Sequence, residues 1–179
     1  MYRLLTAGNG QWSRALSDRI KQKSTTNKAR NIRGTIGASD HVVAYDDESA
    51  IPLNTEIYHK FTQPARDYFY KVQNMDGSDA VKLIKNRGRI LLLVYPAPGT
   101  MAIDIVKSYA EFPANDLVVF VGEGVGGANG NNELFDYWKS VDEQGYGWVL
   151  LESFNVPSVE GGGKGVEKVF IFKRVKMSV

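Results

Sequence analysis

The sequence predicts an α/β protein: a single doubly wound, mostly parallel seven-stranded sheet with helices on both faces and a C-terminal antiparallel β-hairpin. Three observations predict it. Short apolar runs alternate with stretches of helical periodicity along most of the 179 residues. Two of the runs, "RILLLVYPAP" and "DLVVFVGEG", are apolar at nearly every position, the pattern of strands buried on both faces. The last two, "WVLLESFNV" and "EKVFIFKRVKM", are separated only by the Gly-rich "PSVEGGGKGV". That linker is too short for a helical crossover, so the two strands must pair antiparallel.

The elements follow in order. "YRLLTA" is a short first strand that runs into Gly8-Asn9-Gly10. "WSRALSDRIKQK" places Trp12, Ala15, Leu16 and Ile20 along one face of a helix. The polar "STTNKARNIRGTIGASD" reads as loop, giving a basic loop over residues 21–39. "HVVAYDD" is a β-branched strand closing on acids. "EIYHKFTQPARDYF" is ambiguous, because Pro64 interrupts any helix there. "YFYKVQNMD" reads as a short strand, and "SDAVKLIKN" as a short helix with Ser78 at its N-cap. "TMAIDIVKSYAEF" carries Met101, Ile105, Val106 and Tyr109 on one side of a helix, and "NELFDYWKSV" is helical as well. Two further loops complete the single domain of 1–179: a Gly/Asn-rich one at 122–132 and the hairpin loop at 157–166.

Composition narrows the class. Apolar content of 43% and charged content of 23% are those of a globular protein. Cysteine is absent, which removes disulfides, thiolate metal sites and thiol nucleophiles. His41 and His59 have no neighbours at metal-ligand spacing, so no metal site is expected. Nothing near the start has the pattern of a signal peptide, and no apolar run is long enough to cross a bilayer. The expectation is an intracellular, cytoplasmic protein without membrane contact. Net charge is +2, but residues 1–35 hold eight basic side chains and one acid. Arg14, Lys21, Lys23, Lys28, Arg30 and Arg33 therefore form a candidate surface for RNA or another polyanion, against the alternative of a merely solvated helix face and loop.

Two glycine clusters invite a nucleotide reading. "VFVGEGVGGANGNNELF" fits G-x-G-x-x-G through Gly122, Gly124 and Gly127, but helical signals begin only near Asn132, too late for a tight strand-to-helix turn. It reads instead as a loop on the cleft rim, either a lid over substrate or a plain surface loop. "EGGGKG" lacks the Ser or Thr and the helix that a phosphate-binding loop needs.

Five motifs in sequence resemble the class I S-adenosylmethionine-dependent methyltransferase superfamily, over nearly the whole chain. "LLTAGNGQW" is similar to the family's first strand and G-x-G turn. "VVAYDD" is similar to the second strand with its terminal acid. "VQNMDG" resembles the third strand end, and "LLLVYPAPG" the fourth. The reversed last strand of the hairpin completes the pattern. The resemblance implies S-adenosylmethionine as cofactor, with Gly8, Asn9 and Gly10 at its amino-acid part, Asp46 on the ribose, and Met75 and Asp76 at the adenine. It places Tyr95 and Pro96 toward the methyl acceptor as the catalytic candidates. Thr6 stands where the family has an acid, and Trp12 where it has its third glycine. These departures support an alternative, a non-catalytic methyltransferase-like binding or assembly module that no longer holds the cofactor. A nucleotide-cofactor oxidoreductase is a third reading.

Overall fold

The computed structural model describes residues 2–5, 11–28, 42–47, 70–156 and 167–178, and at 2–5, 11 and 24–28 the backbone alone. In chain order the elements are β1 (Tyr2–Leu5), α1 (Gln11–Lys28), β2 (Ala44–Asp46), β3 (Val72–Asn74), α2 (Gly77–Lys82), β4 (Ile90–Val94), α3 (Met101–Ala110), β5 (Leu117–Gly122), α4 (Asn132–Lys139), β6 (Tyr146–Asn155) and β7 (Lys168–Lys176). A 3-10 turn, Ile84–Asn86, links α2 to β4.

The two most apolar runs become adjacent parallel strands, with Leu92 opposite Val119. Their side chains alternate between two cores, as the strand period requires. Leu91, Leu93, Val118 and Phe120 face α2, α3 and α4. Leu92, Val94, Val119 and Val121 face the other way, toward Leu16 and Ile20 of α1. The first core is the larger. In it Phe120 meets Phe135 and Trp138 edge-on, and Trp138 stacks on Phe172 with ring centroids 4.1 Å apart. Each such buried ring contributes about 1.5–3 kcal/mol of apolar burial.

The strands are hydrogen-bonded in the order β3-β2-β1-β4-β5-β7-β6. The predicted sheet nevertheless needs correction. The six strands whose side chains are described divide into a two-stranded parallel piece, β2–β3, and a four-stranded mixed piece, β4-β5-β7-β6. Only the four-residue backbone of β1 joins them. A single, mostly parallel seven-stranded sheet is therefore not what forms: more residues are paired antiparallel than parallel. Strand length is the physical reason. β2 and β3 are three residues each, whereas β6 and β7, which are adjacent in the chain and pair directly, reach ten and nine.

Two smaller corrections concern helices. α1 continues to Lys28, so residues 21–28 of the expected basic loop are helical. Asp76, not Ser78, caps α2: its Oδ1 accepts from the Ser78 and Asp79 amides at 2.7 and 3.3 Å. The hairpin loop 157–166 lies outside the described residues. No helix among the described residues is long and apolar enough to cross a membrane.

Candidate functional site

Parallel pairing aligns strand ends, and alignment makes a rim. Leu5 of β1 lies opposite Tyr45 and Leu93, Asp46 opposite Asn74, and Val94 opposite Val121. The carboxyl ends of β1 to β5 thus share one edge. β1 sits between β2 and β4, so the chain winds outward in opposite directions on its two sides. Open α/β sheets bind ligands in the crevice at such a switch point, outside the strand ends.

Tyr95, directly after β4, stands at this point. Its amide donates to the Val121 carbonyl at 2.8 Å, prolonging the β4–β5 pairing by one residue. The backbone then turns sharply: Tyr95 has φ 46°, the one non-glycine residue in the left-handed region among the described residues. A side chain there costs about 1–2 kcal/mol. Strain of this kind gathers at functional sites. The Tyr95 ring meets that of Trp12, in the first turn of α1, at 6.4 Å between centroids and 62° between planes. Its hydroxyl donates toward Glu167 Oε2 at 3.5 Å, just ahead of β7. Pro96 is fully buried and turns its carbonyl to the Gly130 amide at 3.1 Å.

That last bond ties down the Gly/Asn-rich loop. Within it Asn129 Oδ1 accepts from the Glu123 amide at 3.2 Å, Glu123 Oε2 from the Ala128 amide at 2.7 Å, and Asn132 Oδ1 from the Gly126 amide at 2.9 Å. Asn131 caps α4 through the Leu134 amide. Gly130 adopts φ 67°, and a Cβ on Gly122 would lie 2.9 Å from Asn129 Cβ. These asparagines and glycines are the parts of a cross-braced loop beside Tyr95 and Pro96.

The other sequence candidates fall as follows. Asp46 ends β2, half-buried, and its carbonyl accepts from the Met75 amide at 2.9 Å, so Asp46 and Met75 are brought together. The Met75 side chain packs against the larger core. Asp76 is engaged in capping α2. Gly8, Asn9, Gly10, Arg30 and Arg33 lie outside the described residues, and of Lys28 only the backbone is described. Arg14 and Lys21 both pair with Asp18, at 3.8 and 3.9 Å on the exposed face of α1, and Lys23 is exposed. Pairs so exposed contribute little to stability. Among the described residues no group of three or more His, Asp or Glu could hold a metal ion.

Sequence reasoning missed Glu167 and the contact of Trp12 with Tyr95. Nothing local marks either one, because the partners come from elements far apart in the chain. Comparison with family models, with curated proteins and with solved structures returns no match.

Proposed function

We propose that the chain binds S-adenosylmethionine at the rim where β1 and β4 diverge and acts as a methyltransferase. The observation that supports this most is the position of Asp46: it follows Tyr45, which pairs with the last residue of β1, so a half-buried carboxylate stands one strand from the switch point. The residue types suit the group. Asp46 would accept the ribose hydroxyls, and Gly8, Asn9 and Gly10 would hold the amino-acid part. Met75 would pack along the adenine, and Asp76 would face its edge. Tyr95 and Pro96 would line the acceptor side. When bound, the cofactor supplies an electrophilic methyl on a sulfonium, a cation that aromatic faces such as those of Trp12 and Tyr95 attract. The protein's part is then chiefly to orient the acceptor for in-line displacement, which needs little acid-base machinery. The basic side chains of α1 (Arg14, Arg19, Lys21 and Lys23) favour an RNA or other polyanion acceptor, and a chain without cysteine suits the cytoplasm.

Two observations favour the non-catalytic module instead. Trp12 and Tyr95 touch each other across the switch point, and the Asp76 carboxylate is already used as a cap. Calorimetry with S-adenosylmethionine and with NAD separates the readings. Binding of the first, weakened by about 1–3 kcal/mol in Asp46→Ala, supports the proposal. Binding of neither leaves the assembly module.

A further inference from the structure

β6 stands last in the hydrogen-bonded order, so no described strand pairs with its outer side. A single bridge from Val141 to Gly147 covers its start. From Val149 to Asn155 every residue is exposed, on both faces of the strand. Val149, Leu150, Leu151 and Phe154 keep 38%, 47%, 57% and 47% of their surface in water. The stretch holds one charge, Glu152, and neither the lysine nor the proline with which natural sheets blunt an edge. The Val156 amide donates to the Glu167 carbonyl at 2.9 Å, toward β7. Antiparallel alternation then turns the amides of Asn155 and Ser153 outward, where only another strand would use them.

A bulge at Leu151 decides which strand fits. Val149 pairs with Lys173, Glu152 with Ile171 and Phe154 with Val169, so Val149 and Phe154 share one face. Five residues apart, they would lie on opposite faces of a regular strand. The extra residue brings them to the same side. Leu150 and Ser153, opposite Phe172 and Phe170, share the other face. We propose that this edge is a dimer interface, in which β6 pairs antiparallel with β6 of a second copy about a two-fold axis between Leu151 and Glu152. That register sets Val149 opposite Phe154 of the second copy and Leu150 opposite its Ser153, each pair on one face. It also keeps Glu152 from standing opposite itself. The strand thus supplies its own complement on both faces. Its free stretch spans about 24 Å. With four apolar side chains roughly half exposed, pairing buries on the order of 500 Å² from each copy, about 1,000 Å² in total, the lower limit of a specific interface. The dimer is therefore reversible, with a dissociation constant on the order of 10 μM. The two Glu152 carboxylates lie near the axis and repel, so salt strengthens the pairing.

Sedimentation equilibrium and cysteine crosslinking test this. The wild type passes from mostly monomer to mostly dimer between about 1 and 100 μM, and dimerises more tightly as salt is added. Ser153→Pro removes an outward amide and none that β7 uses, and lowers dimer affinity about tenfold or more. Glu152→Gln raises it at low salt. The chain has no cysteine, so crosslinking reads the register directly. Val149→Cys mixed with Phe154→Cys gives a disulfide-linked dimer under mild oxidation, and neither variant does so alone. A wild type that stays monomeric at every concentration overturns the proposal and leaves the edge to a strand of another protein. A dimer that keeps its affinity in folded Ser153→Pro overturns it too, as do disulfides that form as readily in either single variant as in the mixture. Should Ser153→Pro fail to fold by circular dichroism, the crosslinking decides.

Discussion

The ring of Trp12 meets the ring of Tyr95 edge-on at 6.4 Å, and the Tyr95 backbone takes φ 46° to present it there. Replacing Tyr95 by Ala and by Gly removes the same ring, but only Gly relieves the left-handed strain. The glycine variant is expected to be the more stable of the two by about 1 kcal/mol in urea unfolding. Equal stabilities would mean that the backbone does not hold this conformation in solution.

Asp142 and Arg174 clasp the start of β6 to the end of β7. Arg174 is almost wholly buried, donates to Asp142 Oδ2 at 2.6 Å and lies 4.7 Å from the Tyr146 ring centre. Desolvation works to raise the Asp142 pKa, but the hydrogen bond from Arg174, that from the Tyr146 amide and the guanidinium charge outweigh it, and the net direction is down from 3.8. A carboxyl depressed in the folded state contributes stability at neutral pH and loses it as pH falls through its folded pKa. Asp142→Asn should therefore be less stable than the wild type at pH 7, and the gap should close below about pH 4. A gap independent of pH would show that the charge is not what Arg174 needs.

Trp138 is buried, stacked on Phe172, and its indole Nε1 finds no partner among the described residues. Volume rather than polarity is then its contribution. Trp138→Ala is expected to cost about 3–5 kcal/mol. Trp138→Phe, which keeps most of the ring and drops the idle N–H, should cost less than about 1.5 kcal/mol. Similar losses in the two variants, read by chemical denaturation, would contradict this.

Tyr45 precedes Asp46 and lies in the core, where its oxygen accepts from Asn86 Nδ2 at 3.1 Å; the same amide also donates to the Ala80 carbonyl. Tyr45→Phe leaves the buried Asn86 short of a partner and is expected to cost about 1–3 kcal/mol. Because this contact anchors β2, the variant should also weaken whatever ligand Asp46 holds. Unchanged thermal stability would remove the contact from the reasons β2 sits where it does.

Several elements were legible in the chain alone. The spacing of Met101, Ile105, Val106 and Tyr109 marked α3, and "NELFDYWKSV" marked α4, where the structure buries Leu134, Phe135 and Trp138 on one face. The "SDAVKLIKN" stretch announced a short helix, but not that Asp76 rather than Ser78 would supply the capping oxygen. Either side chain can cap, and the backbone geometry at Asp76 decides between them. The end of α1 was misjudged because its last eight residues, 21–28, are polar throughout, leaving no apolar stripe to follow.

Taken alone, the sequence determined the two central strands and the antiparallel closing hairpin, since each is written in residues close together in the chain. Tertiary structure alone decided how short the parallel strands are against the long hairpin, why Tyr95 turns left-handed beside Trp12, and that Ser13 is enclosed with no hydrogen-bond partner among the described residues. Those outcomes depend on which distant segments pack together, and a side chain's neighbours across a sheet leave no mark on the residues beside it in the chain.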